Sequence, residues 1–246
     1  LFRSMAGMNA IAVGTNAIMY STNAGKSWST GTASALNLTA VAVDKANPSK
    51  GVAVANNSIL YTSDGGKSWA SGTASAMNLR GVAMSNNKVV AIGTNMILRS
   101  DDGGKTWSTG TVSAMNLTSV AMSEKNVVVV GTNSILYSGD AGKTWGTGTV
   151  SALNLTDVAI SGSNVVAVGT NSILYSTNAG KSWNTGTVSA LNLTGVAFGG
   201  AATPPCITGG SMNLGTSCNV KASCLGGNKP TSTVPALFQY TCGENG

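Results

Sequence analysis

One octet ending in tryptophan recurs five times: Ser21–Trp28 (STNAGKSW), Thr62–Trp69 (TSDGGKSW), Ser100–Trp107 (SDDGGKTW), Ser138–Trp145 (SGDAGKTW) and Ser176–Trp183 (STNAGKSW). Trp28, Trp69, Trp107, Trp145 and Trp183 are the only tryptophans, and successive ones stand 41, 38, 38 and 38 residues apart. A fixed period of this size marks one supersecondary unit, copied and stacked, because a single unit cannot bury its apolar face alone.

The copy at 117–153 shows what the unit is. LTSVAM alternates, with Val120 and Met122 on one side, and reads as a strand. NVVVVGTN is an apolar, β-branched run closed by Gly131-Thr132-Asn133, a strand buried on both faces. SILYS is a third strand. The octet is a tight turn set by its Gly and Asp or Asn residues, and Trp145 opens a fourth strand, WGTGTV. No stretch has helical periodicity. The one long spacing comes from Val43–Gly51 (VDKANPSKG), a polar insertion between the first two strands of its unit.

Four-stranded units repeated radially predict an all-β β-propeller. Five blades are expected, closed by Leu193–Phe198 entering the first blade as its innermost strand; a sixth, degenerate blade built from 193–246 is the alternative. Residues 1–7 align poorly with a first strand, since Arg3 falls where the repeats have Val41, Val82, Val120, Val158 and Val196. An unpaired charge there is costly, so 1–7 are expected to be a leader, 8–198 the propeller and 199–246 an appendage. Residue 1 is Leu and no signal peptide is present, so an upstream segment, cleaved or left out, is expected.

Only 9% of residues are charged, well under the usual quarter, and the net charge is +6. Polarity therefore rests on Ser, Thr, Asn and Gly, a surface common on extracellular proteins. No run suits a membrane span. All four cysteines, Cys206, Cys218, Cys224 and Cys242, lie in the last 41 residues at spacings that match no zinc pattern. They read as two disulfides of open connectivity, formed in an oxidising compartment after secretion. With no histidine in the chain, the usual general base and the commonest metal ligand are missing; no metal or cofactor is expected.

The octet resembles the Asp box, S-x-D-x-G-x-T-W, of the BNR-repeat propellers, the sialidase-like and Ycf48-like families. Asp64, Asp102 and Asp140 match its Asp, and Asn23 and Asn178 replace it in the outer copies. The resemblance covers all five units and implies that the box lies on outer hairpins away from the ligand face. Box Asp and Asn then accept turn N–H groups, and the Trp side chains pack between sheets. Sialidases with this repeat use three Arg around the substrate carboxylate, a Tyr–Glu pair and a catalytic Asp. Here only Arg3, Arg80 and Arg99, and only Glu124 and Glu244, are available, and no carboxylate pair is placed for glycoside hydrolysis. No enzyme is expected. Lys26, Lys67, Lys105, Lys143 and Lys181 form a ring of rim charge without stacking aromatics, so no nucleic acid partner is expected either.

What remains is a five-fold set of polar loops. The loops from second to third strand carry Asn16, Asn57, Asn95, Asn133 and Asn171; those leading into the first strand carry Asn37, Asn78, Asn116, Asn154 and Asn192. In a propeller both sets share one face. Amides beside Ser and Thr suit sugar hydroxyls, and repetition supplies avidity. The competing reading is that Asn only serves the turns. Asn37, Asn56, Asn116, Asn154 and Asn192 also head N-x-S/T sequons, so this face can carry glycans instead. The functional expectation is a secreted recognition or adhesion module for a glycan or cell-surface ligand. The alternative is a structural subunit or head domain that self-assembles into a surface filament.

Overall fold

The apolar second strand of each repeat dictates the architecture. NVVVVG at 126–131 has side chains on both faces that need cover, and a single sheet offers none. In the computed structural model each repeat forms a four-stranded antiparallel sheet, and sheets cover one another face to face. The structure describes residues 2–32, 36–73, 78–110, 116–148, 153–186 and 192–198.

Blade one comprises β1 (Phe2–Ala6), β2 (Asn9–Gly14), β3 (Ala17–Ser21) and β4 (Ser29–Thr30). Blade two has β5 (Leu38–Val43), β6 (Gly51–Ala55), β7 (Ser58–Thr62) and β8 (Ala70–Ser71). Blade three has β9 (Leu79–Ser85), β10 (Lys88–Gly93), β11 (Met96–Ser100) and β12 (Ser108–Gly110). Blade four has β13 (Leu117–Ser123), β14 (Asn126–Gly131), β15 (Ser134–Ser138) and β16 (Gly146–Thr147). Blade five has β17 (Leu155–Ser161), β18 (Asn164–Gly169), β19 (Ser172–Ser176) and β20 (Asn184–Thr185). Strand order is sequential in every blade. Among the described residues the fourth strands have two or three residues each.

Two expectations are corrected. Residues 2–6 are not a leader: they form the innermost strand of blade one, paired with β2 in register from Phe2↔Val13 to Ala6↔Asn9. Arg3 pairs with Ala12, the register place that Val41, Val82, Val120 and Val158 take in the other blades. The backbone ladder forms irrespective of that side chain. Leu193–Phe198 accordingly do not close blade one. They lie along blade five, where Leu193 N–H donates to Gly169 O at 3.3 Å and Val196 N–H donates to Asp157 Oδ2 at 2.9 Å.

The core is divided into four clusters, each between successive blades. Val127, Val128, Val129 and Val130 are all fully buried, two in the cluster shared with blade three and two in that shared with blade five. Burying one such side chain contributes about 1.5–3 kcal/mol. Five blades in a closed ring would share five clusters. Among the described residues the outward faces of blades one and five have none between them, so the expected closure is not seen.

Polar bonds fix the spacing between blades. A bulge at the start of β5, β13 and β17 frees one threonine per blade. Thr39, Thr118 and Thr156 Oγ1 lie 2.9, 2.7 and 2.6 Å from Leu79 O, Leu155 O and Leu193 O of the next repeat. Each is further from its own blade's Val54 O, Val130 O and Val168 O, at 3.1, 3.0 and 3.1 Å. A hydroxyl has one hydrogen to donate, so the shorter contact, across blades, takes it. On the outer side, the second Gly of each internal box sits against the preceding blade. Gly104 has φ +93°, and a Cβ there would lie 2.7 Å from Val52 Cγ2.

The chain divides after Phe198. Residues 199–246, with all four cysteines and the disulfides expected of them, lie outside the described residues. Two substitutions test the inter-blade contacts by urea unfolding. Thr118→Val keeps the shape and removes the hydroxyl, and is expected to cost about 1–2 kcal/mol. Gly104→Ala adds left-handed strain to overpacking and is expected to cost more, about 2–4 kcal/mol.

Candidate functional site

Chain direction sorts the polar residues onto two ends of the blades. At one end lie the octets and the turns joining first to second strands. Ala24, Gly65, Gly103, Ala141 and Ala179 N–H each donate across this end, to Met8, Ser49, Asn87, Lys125 and Ser163 carbonyls at 2.7–2.9 Å. At the other end lie the turns joining second to third strands and the loops leading into each blade.

The octets are scaffolding in detail. Gly104 N–H donates to Ser100 Oγ (2.9 Å), Ser100 Oγ to Asp102 Oδ1 (2.8 Å), and Thr106 N–H and Oγ1 both donate to the Asp102 carboxylate (2.9 and 2.6 Å). Asp64 and Asp140 are held the same way. Burial pushes these carboxyls up, but hydroxyl and N–H donors outweigh it and hold Asp64, Asp102 and Asp140 at about 2. In the outer copies the proton runs the other way, with Asn23 and Asn178 Nδ2 donating to Ser27 and Ser182 Oγ at 2.7 Å. Trp28, Trp69, Trp107 and Trp183 Nε1–H donate to the Gly carbonyl three residues back. Trp145 Nε1 is buried without an acceptor.

Asp44, Asp157 and Asp101 are likewise engaged. Asp44, 1% exposed, accepts from Ala46, Asn86 and Asn87 N–H at 2.9, 3.1 and 2.7 Å. Asp157 accepts from Ser119 Oγ at 2.7 Å as well as Val196 N–H. Lys88 donates to Asp101 at 3.0 Å and, against its partial burial and with Arg99 adding to the effect, holds that carboxyl low. Glu124 is in the exposed β13–β14 turn. Among the described residues no group of three His, Cys, Asp or Glu could hold a metal ion, and no helix is long and apolar enough to cross a membrane.

The ten loop asparagines do come together. Asn16, Asn57, Asn95, Asn133, Asn171, Asn37, Asn78, Asn116, Asn154 and Asn192 are all exposed at the end opposite the octets. Asn16, Asn95, Asn133 and Asn171 have φ between 52 and 57°, a region where Asn is tolerated and most residues are not. The bland reading is thus part of the truth: these four serve turns. The second set is stitched beside the first, with bridges Thr15↔Asn37, Thr94↔Asn116, Thr132↔Asn154 and Thr170↔Asn192. At these four places a turn of one blade abuts the loop entering the next; no such bridge involves Asn78. The sequon residue Asn56 is exposed on the same end.

Sequence reasoning missed Arg80. It occupies the place where three other blades have the bonding threonine, and its Nη1 donates to Asn116 Oδ1 at 3.2 Å. Asn116 Nδ2 in turn donates to Thr132 Oγ1 at 3.4 Å. The departure of NLR from the recurring NLT was the available signal. Every lysine among the described residues lies on octets, on the β5–β6 loop, or at first-to-second-strand turns. The asparagine end is thus a field of amides and hydroxyls without lysine, with Arg80 as a cation on it.

Such sheets, repeated in this order, define a β-propeller protein. A family model, the BNR/Asp-box repeat, matches residues 98–109, the stretch that holds the third of the five octets. No curated protein sequence matches it. Among solved structures it is similar to Ycf48 bound to a D1 peptide, at 18% identity over 75% of this chain and 65% of that one, TM-score 0.56. It is similar to an ancestral GH74 enzyme at 17% identity over 73% of this chain and 29% of that one, TM-score 0.58. PorZ, a bacterial surface component of the type-IX secretion system of Porphyromonas gingivalis, gives 11% identity over 75% and 27%, TM-score 0.58. The chain spans less than two thirds of each, and at these identities the likeness is one of fold. That fold carries enzymes and non-enzymes alike.

The low carboxyls give a pH prediction. Their folded value, about 2, lies below the ordinary 3.8, so their contribution to stability is present above 3.8 and is lost as pH falls through 2. The denaturation midpoint should drop over that window. In the triple variant Asp64→Asn, Asp102→Asn, Asp140→Asn, which adopts the outer-box chemistry, the drop should shrink.

Proposed function

We propose that this protein is a non-catalytic, extracellular recognition module that binds carbohydrate across its asparagine end. One observation supports the reading above others: ten exposed asparagines and their neighbouring threonines are gathered on an end without lysine. Amides donate and accept, as sugar hydroxyls do. An uncharged ligand meets no desolvated ion there except Arg80. Repetition at the blade spacing favours a chain of sugars over a single one.

The non-catalytic part is supported by the aspartates among the described residues, which are taken up by backbone, hydroxyl and cationic donors. The extracellular part is supported by a surface low in charge and rich in hydroxyls. Ycf48, a neighbour in fold, was solved with a peptide bound, so recognition is within the repertoire of this architecture.

A glycan array probed with the full chain is expected to show binding to neutral oligosaccharides. Asn95→Gly with Asn133→Gly, which keep the left-handed turns and remove both amides, should weaken it at least tenfold, about 1.4 kcal/mol, with the thermal midpoint little changed. A blank array, or binding that survives both substitutions, overturns the reading.

A further inference from the structure

The interface between blades is made four times within the chain, and each half of it is also present once without its mate. The rear face of blade five has the residues that are covered in blades one to four. Tyr175 is 44% exposed, whereas Tyr20, Tyr61 and Tyr137 at the same place are half-buried. Val166 and Ile173 are half-buried; their counterparts Ile11, Val52, Val90 and Val128, and Ile18, Ile59, Ile97 and Ile135, are at most 2% exposed. Gly186 meets only Ile173 of its own blade, where Gly31, Gly72 and Gly148 each meet the box of the following blade.

The front face of blade one is the matching half. Trp28 is 38% exposed, while the other four box tryptophans are half-buried. Met19 is half-buried where Leu60, Leu98, Leu136 and Leu174 are 3–6% exposed. A Cβ on Gly25 would meet only Trp28, where one on Gly66, Gly104, Gly142 or Gly180 would meet the preceding blade's second and third strands. An Asp-box blade fits the rear face of blade five, and blade one is the only box-bearing blade whose front is uncovered.

The inner position needs a choice between two strands. Leu193–Phe198 already hold the inner seat on blade five, by the same threonine-to-leucine bond that joins internal blades. Their repeat places Val196 and Phe198 where β1 has Arg3 and Met5. Valine suits that place better than arginine. Among the described residues no strand pairs with 193–198, so its edge is open to β2 of an incoming blade.

We propose that two copies of this chain join head to tail, blade five of one against blade one of the next, with Leu193–Phe198 of the first copy replacing β1 beside β2 of the second. The contact is heterologous, so it propagates into a chain or ring of copies rather than stopping at a two-fold dimer. It does not rest on the carbohydrate reading, and either can fail without the other.

The full chain is examined by sedimentation velocity over a wide concentration range. The average mass is expected to rise with concentration. Tyr175→Asp puts a charge on the rear face and should weaken association about tenfold or more; Met19→Asp should do the same from the front face. Tyr175 is exposed, so its variant should keep the thermal midpoint of the parent. Mixing the two variants should restore a dimer that neither forms alone, since each retains the half that the other lost. A chain that is monomeric at every concentration, a Tyr175→Asp variant that associates like the parent, or a mixture that gives no dimer overturns the proposal.

Discussion

Everything in this structure depends on sheets lying flat against sheets. The second strand of each blade is apolar on both faces, so no blade is stable as an isolated sheet. Its neighbours must come close, and the second glycine of each internal box is what permits the approach. With φ near +90° and no Cβ, Gly66, Gly104, Gly142 and Gly180 let one blade's turn sit on the previous blade's second and third strands. The box tryptophan then covers the outside of the same contact. Between blades two and three and between blades four and five, the bulge threonine sets the spacing near the axis by a bond to the next repeat's leucine. Glycine at the rim acts in all four contacts, and threonine at the hub joins it in two of them.

The same geometry explains why function and motif part company. An up-and-down blade puts its first and third connections at one end, and its second connection and its exit at the other. The octet is a third connection, so its Asp and Lys can never share an end with the Asn-rich turns. The residues that look most like chemistry are ionised carboxylates fully occupied by turn donors, and the candidate site is assembled from the least conspicuous tripeptides in the repeat.

Much of the fold was legible because the repeat averages over local accidents. Five octets in phase announce five blades, and the β-branched runs announce the buried strands. Residues 2–6 were misread for a physical reason. Arg3 breaks the side-chain pattern, but strand pairing is a backbone interaction, and β2 offers a free edge that Phe2–Ala6 can satisfy in full register. Closure was misjudged from the same cause: once β1 fills the inner place of blade one, Leu193–Phe198 have no vacancy there. The gathering of the ten asparagines was legible from topology. Their abutment in pairs was not, because it depends on the loop entering one blade meeting the turn of the one before. Arg80 stood out only once its threonine counterparts were seen to bond across blades.

The insertion between β5 and β6 gives the five similar blades unequal fates. Residues 44–50 reach in three directions. Asn9 Nδ2 of blade one donates to Pro48 O (3.1 Å), Gly65 N–H of blade two to Ser49 O (2.7 Å), and Lys50 Nζ to Asn87 Oδ1 of blade three (2.9 Å), while Asp44 receives the β9–β10 turn. Blades four and five lack such an insertion and are joined at this end by two bonds, Gly162 N–H to Ser123 Oγ (3.1 Å) and Asn126 Nδ2 to Gly162 O (3.4 Å). A linear array of near-identical units opens from whichever end is less tied. Amide hydrogen exchange is therefore expected to be polarised along the chain, slower in the clasped amino-terminal half and faster toward blade five.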